Sequence, residues 1–269
     1  MDWLLDFTGQ QFLIFTLVLA RVGGLVFAGP PLGGAEVPKQ VRVFLAVVLA
    51  LLVTPAQWGA AVEAPSSLAG HVLAVGGELL IGYTLGFGVT ILFSGVQLAG
   101  QIVGQLSGMT LADVYNPGFD ADIPLFSQLF YLVALAVYLV VGGHRLLMAG
   151  LLETFIAIPP GGAGLDVSLA ETLVTMIGES FSLGIRLAAP AIVAGLLASL
   201  VLGTISRTLP QLNAMALGFG LNALTTFSVL SISLGSMAWV FHDEIEPALQ
   251  GIVEGLVNMN VGQVSKGPL

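Results

Sequence analysis

Histidine is the side chain best suited to acid–base or metal chemistry near neutral pH, so its spacing is the first test for a reactive site. The sequence contains His71, His144 and His242, which match neither the His-x-x-x-His nor the His-Glu-x-x-His pattern of zinc sites. Cysteine is absent, so no thiolate is available as a metal ligand. The spacing therefore predicts neither a zinc centre nor a histidine-based catalyst.

Motif fragments typical of other enzymes are incomplete. Residues 178–182, Gly-Glu-Ser-Phe-Ser, lack the final glycine of a Gly-x-Ser-x-Gly nucleophile elbow. Residues 218–223, Gly-Phe-Gly-Leu-Asn-Ala, loosely match a nucleotide-binding motif but lie inside an apolar run rather than after a strand. Asp113, Asp120 and Asp122 do not have the spacing of a calcium loop. We therefore expect no catalytic, cofactor-binding or metal-binding residues, and no enzyme.

The composition indicates the class of protein to which this chain belongs. Hydrophobic residues make up 56% of the chain and charged residues 9%, and the mean hydropathy is +0.99. Soluble domains carry about 25% charged residues, so most of this surface is expected to face lipid or other protein. The formal net charge of -9, with basic residues scattered along the chain, excludes nucleic acid as a partner.

The elements are expected to be helices that lie in a membrane. Apolar segments run over residues 10–29, 41–54, 68–98, 123–141, 181–205 and 214–241. Unpaired backbone groups are too costly in lipid, so all six are expected to be helical. The second is short and ends at Thr54-Pro55. The first, third, fifth and sixth reach the roughly 20 residues needed to cross the hydrocarbon. The prediction is an all-α membrane protein with a single domain, residues 1–269.

An amphipathic helix is predicted over residues 166–184, leading into the fifth segment. Its apolar face follows helical spacing and comprises Leu169, Leu173, Met176, Ile177 and Phe181.

Three charged residues lie within apolar segments: Arg21, Glu78 and Arg186. Each ionised group costs at least about 2.5–3.5 kcal/mol at the centre of a bilayer. One interpretation is that they form a polar pore or an assembly contact, facing protein or water and pairing with one another. The alternative is that they lie near segment ends and extend to the membrane interface.

Glycines and glutamines form two parallel stripes between residues 82 and 108. Glycine recurs every fourth residue at Gly82 and Gly86 and again at Gly100, Gly104 and Gly108, a spacing that allows close helix packing. Glutamine also recurs every fourth residue, at Gln97, Gln101 and Gln105, and the last two directly follow a glycine. Amides need polar partners or water. The stripes therefore suit a helix between a packed neighbour and a polar cavity, or a tight seam in which the amides bond to each other.

A set of short motifs in a defined order covers residues 12–241. They are Arg21-Val22-Gly23-Gly24, Gly29-Pro30-Pro31-Leu32-Gly33, Val37-Pro38 with Arg42, Glu78-Leu79-Leu80-Ile81-Gly82, Gly86-Phe87, Gln97-Leu98-Ala99-Gly100, Gly104-Gln105, Gly143-His144, Pro159, Arg207-Thr208-Leu209-Pro210-Gln211-Leu212-Asn213 and Leu217-Gly218-Phe219. In this order they resemble the FliR family of flagellar biosynthesis proteins, the export-gate subunits of the flagellar type III secretion apparatus.

The resemblance implies an architecture and a set of partners. The helices of the chain would pack as hairpins, and not all of them would cross the bilayer. The chain would form a helical, closed-pore assembly with FliP-like and FliQ-like subunits. An FlhB-like protein would be a further partner, and unfolded flagellar proteins would be the cargo. The location implied is the bacterial inner membrane, at the flagellar basal body, in contact with lipid.

The resemblance also implies two groups of functional residues. A loop at roughly Gly104 to Asn116 would help to plug the pore, with Gly104, Gln105, Gly108, Met109 and Asn116 as its candidates. Helix packing and assembly would depend on the charged, glycine and Arg-Thr-Leu-Pro-Gln-Leu-Asn positions: Arg21, Glu78, Gly82, Gly86, Gly100, Arg207, Pro210, Gln211 and Asn213.

The chain departs from the family pattern at three places. Ser199 stands where the family often has a carboxylate, Asn222 where it often has a lysine, and Ala214-Met215 where Val-Phe is more usual. An ion pair between the first two positions is therefore not expected here. The alternative functions are the equivalent subunit of a virulence-type type III system and a small-solute secondary transporter, which would show two halves with matching broken segments.

Overall fold

The computed structural model describes residues 2–30, 32–34, 37–59, 62, 65, 67–106, 125–162, 167–208 and 214–264. Over these residues the chain is helical and contains no strand, which confirms the predicted all-α fold. The helices are α1 Asp2–Ala28, α2 Lys39–Val53, α3 Leu68–Leu106, α4 Leu125–Val141, α5 Gly143–Ala157, α6 Val167–Thr208 and α7 Ala214–Val264, with a 3-10 turn at Thr54–Gln57.

Four of the described helices are long and apolar enough to cross a membrane: Gly9–Ala28, Lys39–Gln57, Leu68–Leu106 and Thr172–Thr208. Helices α4 and α5 together meet the same criterion if they are counted as one broken span. These helices confirm the membrane class that the composition predicts. The second span is longer than predicted, because the 3-10 turn accommodates Pro55 in its first turn, where a missing N–H costs little.

Glycines with positive φ make the two sharp turns around α5. Gly142 has a φ of 82° at the junction between α4 and α5, and Gly161 has a φ of 85° in the turn that follows α5. Residues with a Cβ rarely adopt this conformation. The Pro-Pro-Gly-Gly sequence at residues 159–162 therefore forms the turn that its composition predicts.

The predicted amphipathic helix begins at the expected place, and the face that it buries within the chain coincides only in part with its apolar face. It is continuous with the fifth segment as α6, and Ile177 and Phe181 are 54% and 57% exposed. The buried stripe instead comprises Met176, Ser180, Leu183 and Leu187. The backbone of Ser180 lies directly against Gly95 of α3. This close contact determines which face of α6 is buried, and the hydropathy of the residues does not predict it. Leu169 lies outside the described side chains.

Helix packing divides the chain into two compact units. Unit 1 contains Met1–Ile91, Gly142–Met176 and Glu246–Leu269. Its buried aliphatic side chains include Leu17, Leu85 and Leu151. Whether the whole chain behaves as one domain, as the sequence predicts, stays a prediction.

Unit 2 contains Leu92–Val141 and Ile177–Ile245. Its core is aromatic: the ring of Phe93 makes edge-to-face contacts with Tyr131, Tyr138 and Phe241 at centroid distances of 5.5, 5.7 and 5.3 Å. Edge-to-face pairs contribute about 0.5–1.5 kcal/mol each beyond the area they bury.

Candidate functional site

A buried ion pair joins α1 to α3 in unit 1. Arg21 Nε donates to Glu78 Oε2 at 2.6 Å, and both side chains are fully buried. A buried charge needs several partners, because the pair alone does not offset the cost of removing both ions from water. The remaining polar atoms of the two side chains therefore decide whether the arrangement is stable.

The guanidinium of Arg21 is satisfied by α5 and the turn after it. One terminal nitrogen donates to Thr154 Oγ1 at 3.3 Å and the other to the carbonyl oxygen of Ile158 at 3.0 Å. The ring of Phe155 lies 4.2 Å below the guanidinium carbon, in cation–π geometry. Each of the three nitrogens thus has a hydrogen-bond acceptor.

The second carboxylate oxygen of Glu78 is satisfied by the same turn. The backbone N–H of Gly161 donates to Glu78 Oε1 at 2.8 Å. The pair therefore cross-links α1, α3, α5 and the turn at residues 158–162. We call this group of Arg21, Glu78, Thr154, Phe155 and Gly161 the buried charge cluster. Its geometry fixes helix positions and leaves no reactive group exposed to a substrate.

Glycine contacts bring α1 and α3 close enough for this pair to form. A Cβ at Gly82 would overlap the carbonyl oxygen of Arg21, and a Cβ at Gly24 would lie 2.7 Å from the backbone nitrogen of Tyr83. Gly82 follows Glu78 by four residues, so the glycine and the carboxylate face α1 on neighbouring turns. One turn further on, a Cβ at Gly86 would lie 2.6 Å from the backbone nitrogen of Gly29.

Further along α3, in the part of the helix that belongs to unit 2, the glycines contact α4 of the same unit. A Cβ at Gly100 would lie 2.5 Å from the Cα of Ser127 on α4, and Ser127 Oγ donates to the carbonyl oxygen of Gln97 at 3.0 Å. At Gly104 the nearest atom is a ring carbon of Phe126, 3.5 Å away, which is an ordinary contact. The stripe therefore packs closely at Gly100, where a Cβ would not fit, and at ordinary contact distance at Gly104.

The glutamine stripe and the predicted plug are only partly described. Gln101 and Gln105 are exposed, whereas Gly100 and Gly104 are buried. Gly108, Met109 and Asn116 lie outside the described residues, and so do Pro210, Gln211 and Asn213. Arg207 is exposed in the last turn of α6.

Arg186 is placed differently from the other two charges of the apolar segments. It bonds to Glu244 of α7 at 3.1 Å, and the two side chains are 65% and 39% exposed. The spacing of charges in the sequence predicts neither the pairing of Arg21 with Glu78 nor that of Arg186 with Glu244. It also misses the contribution of Thr154, although the Pro-Pro-Gly-Gly turn is a visible signal for Gly161.

An acid-rimmed groove lies between α5 and the end of α7 in unit 1. Its volume is about 440 Å³, with an apolar floor that includes Leu147 and Leu249 and a rim that carries Glu153, Glu246 and Glu254. Among the described residues no group of His, Asp or Glu has a geometry that could hold a metal ion.

The pattern of helices, glycine crossings and buried charge can be compared with known proteins. The sequence profile of the family described as "Bacterial export proteins, family 1" matches residues 12–248. The chain belongs to this family. Membership of the bacterial export family 1 accounts for the order of motifs along nearly the whole sequence.

Relatives of the chain carry flagellar names and, in one case, the name of a secretion-system protein. The "Flagellar biosynthetic protein FliR" of Caulobacter vibrioides is 28% identical over 242 residues, which cover 90% of this chain and 96% of that protein. The protein of the same name from Escherichia coli is 28% identical over 270 residues, covering 99% and 100%. The "Secretion system apparatus protein SsaT" of Salmonella typhimurium is 29% identical over 160 residues, covering 59% and 62%.

Proposed function

We propose that this chain is a subunit of the flagellar type III protein export gate, and that its work is assembly and gating rather than catalysis. The observation that carries the proposal is similarity to flagellar FliR proteins over nearly the full length of both chains. The virulence-type relative matches over 59% of this chain, which favours the flagellar system. The equivalent virulence-type subunit is the second candidate.

Exposed apolar helix faces support an assembling membrane subunit. Only 17% of the residues in the most apolar stretch of Thr172–Thr208 are buried within the chain. In the most apolar stretch of Lys39–Gln57 the buried share is 22%. Large side chains such as Leu196, Leu197 and Leu200 project from α6. These faces suit contact with lipid and with neighbouring subunits, since apolar helices also associate by close packing.

The proposed partners are FliP-like and FliQ-like subunits and an FlhB-like protein in the bacterial inner membrane, at the flagellar basal body. In this proposal the chain completes a closed-pore superhelix through which unfolded flagellar proteins pass. The test is co-expression with FliP-like and FliQ-like subunits, followed by purification in a mild detergent. One stable complex containing all three would support the proposal, and a monodisperse monomer that excludes the others would refute the assembly.

Deletion of the gene distinguishes the two type III systems. We expect cells lacking the chain to lose flagellin from the culture medium and to lose motility, and both to return on complementation. Normal flagellin export combined with loss of virulence-type secretion would favour the second candidate. Normal secretion by both systems would contradict either export function.

We further propose that the segment from Gly104 to Asn116 closes the pore. At Gly104 an added Cβ would meet a ring carbon of Phe126 at an ordinary contact distance of 3.5 Å, and Asn116-Pro117-Gly118 is a helix-breaking sequence. Deletion of residues 106–112 should leave the complex assembled while making the membrane permeable to small solutes. Unchanged solute uptake, with assembly verified by co-purification, would refute the plug while leaving the export function standing.

A further inference from the structure

The floor of the acid-rimmed groove is made of apolar residues from three helices. They are Leu85 of α3, Leu147 and Gly150 of α5, and Leu249 and Val253 of α7. A Cβ at Gly150 would lie only 2.8 Å from a methyl group of Val253. Glycine at this position therefore lets α5 and α7 approach closely, and the two helices close the floor beneath a cavity of about 440 Å³.

The rim of the groove carries three exposed carboxylates. Glu246 and Glu254 line it from α7, and Glu153 lines it from α5. Eight positions separate Glu246 from Glu254, which is about 12 Å along the helix axis. Gln250 lies between them on the same side of α7, and its amide nitrogen donates to Glu246 Oε1 at 3.5 Å. The rim is therefore an extended acidic edge.

The chain supplies no cation to this edge within the described residues. The salt bridges there join Arg21 to Glu78 and Arg186 to Glu244, and Arg145, which precedes the lining residue Leu146, does not line the groove. No described group of His, Asp or Glu could hold a metal ion, so the three rim carboxylates do not converge on one point. The negative charge is spread along the groove.

This distribution of charge separates the possible occupants. An acyl chain would bring hydrocarbon against three carboxylates, which costs free energy because ionised groups lose their water, and an anionic headgroup would be repelled. A single small cation pairs with one carboxylate and leaves the rest unpaired. A helix with cations seven residues apart presents them about 10.5 Å apart on one face, with apolar side chains between them. Such a helix matches both the rim and the floor.

We propose that the acid-rimmed groove binds a basic amphipathic helix of a partner protein. Two Lys or Arg side chains of that helix pair with Glu246 and Glu254, and its apolar residues lie over Leu249 and Val253. Glu153 pairs with a further cation from the side of α5. The proposal is argued from the groove alone and does not depend on the export function proposed above.

The test places a photo-reactive amino acid at Ala149, an exposed lining residue, in the full-length chain in native membranes. After irradiation, the cross-linked peptide is sequenced by mass spectrometry. We expect a protein segment with Lys or Arg seven or eight residues apart and apolar residues between them. An adduct with the mass of a phospholipid, a segment without such cations, or no adduct would overturn the proposal.

Charge reversal decides whether the captured segment binds through the rim. The double variant Glu246→Lys with Glu254→Lys should lower the cross-link yield by about tenfold or more, since two ion pairs are lost. Reversing the two mapped cations of the partner should restore the yield. The matched control is Glu179→Lys, an exposed carboxylate of α6 outside the groove, which should leave it unchanged. A wild-type yield in the double variant would refute the proposal.

Ionic strength tests the same pairing without any change to the rim. Raising the salt concentration from about 0.1 M to about 1 M shortens the Debye length from about 10 Å to about 3 Å. The cross-link yield should then fall several-fold, and an unchanged yield would contradict pairing through exposed charges. Native mass spectrometry adds a further check, because a bound polyamine that is lost in the double variant would assign the groove to a small cation instead.

Discussion

Replacing Arg21 by leucine removes the cation of the buried charge cluster while keeping an apolar side chain in α1. The carboxylate of Glu78 then remains fully buried with the backbone N–H of Gly161 as its remaining partner. The carbonyl oxygen of Ile158 loses the donor it has at 3.0 Å, and Phe155 loses its cation–π partner. The loss is therefore one unpaired charge and several weaker contacts.

The expected loss of stability is about 3–5 kcal/mol, the usual effect of removing one partner of a buried ion pair. The cation–π term is included in that range, because such contributions are not additive. Arg21→Lys should cost less, about 2 kcal/mol, because an ammonium keeps the charge but cannot reach three divergent acceptors. The exposed pair of Arg186 and Glu244 provides the matched control: Arg186→Leu should cost less than about 1 kcal/mol.

Intrinsic fluorescence of the three tryptophans can follow unfolding in a fixed detergent. Membrane insertion should not suffer, because removal of a charge from an apolar segment favours insertion. The order of stability should be wild type, Arg186→Leu, Arg21→Lys, then Arg21→Leu. In addition, hydrogen exchange at the Gly161 amide should accelerate in Arg21→Leu. If Arg21→Leu unfolds with the same midpoint as Arg186→Leu, the structural assignment of the charge cluster is wrong.

Substitutions at four other residues have defined expected effects, each measured by the same unfolding assay. Gly82→Ala should destabilise by about 1–3 kcal/mol because its Cβ overlaps the backbone of Arg21, whereas Gly104→Ala should be neutral or stabilising by up to about 1 kcal/mol; equal effects would contradict the contact geometry. Tyr138→Phe should stabilise by about 1 kcal/mol, because the hydroxyl is buried without a hydrogen-bond partner among the described residues, and a loss of stability would reveal a partner. Gly142→Ala should cost about 1–2 kcal/mol through its φ of 82°; no loss would mean that the bend relaxes.

Much of the fold follows from properties that are local in sequence. Apolar length predicts the helices because the membrane requires every backbone group to be bonded within its own segment. The Pro-Pro-Gly-Gly turn at residues 159–162 follows from the φ preferences of its residues. Close packing at Gly82 and Gly86 follows from glycine spacing. In each case the pattern and its physical cause lie within a few residues of each other.

The rest depends on pairings between distant parts of the chain. Arg21 and Glu78 are separated by 57 positions, and Arg21 and Ile158 by 137, and nothing in the spacing of isolated charges selects one partner over another. The same limit explains why the buried face of α6 differs from its most apolar face. Hydropathy ranks Phe181 above Ser180, but in a membrane an exposed Phe is compatible with lipid, while a small residue is needed where α6 meets Gly95.

Hydropathy leaves the rotation of an apolar helix undetermined, because lipid accepts leucine on any face. In unit 1 that choice is made by the charge cluster and the glycine beside it. A rotation of α1 that carried Arg21 away from α3 would leave two charges in apolar surroundings, at about 2.5–3.5 kcal/mol each, and would also lose the close contact at Gly82. The pair therefore acts as a specificity element, fixing the register of α1 against α3. With that register fixed, Gly24 lies against the backbone of α3 at the helix crossing, whereas a Cβ at the neighbouring Gly23 would meet no atom within 4 Å.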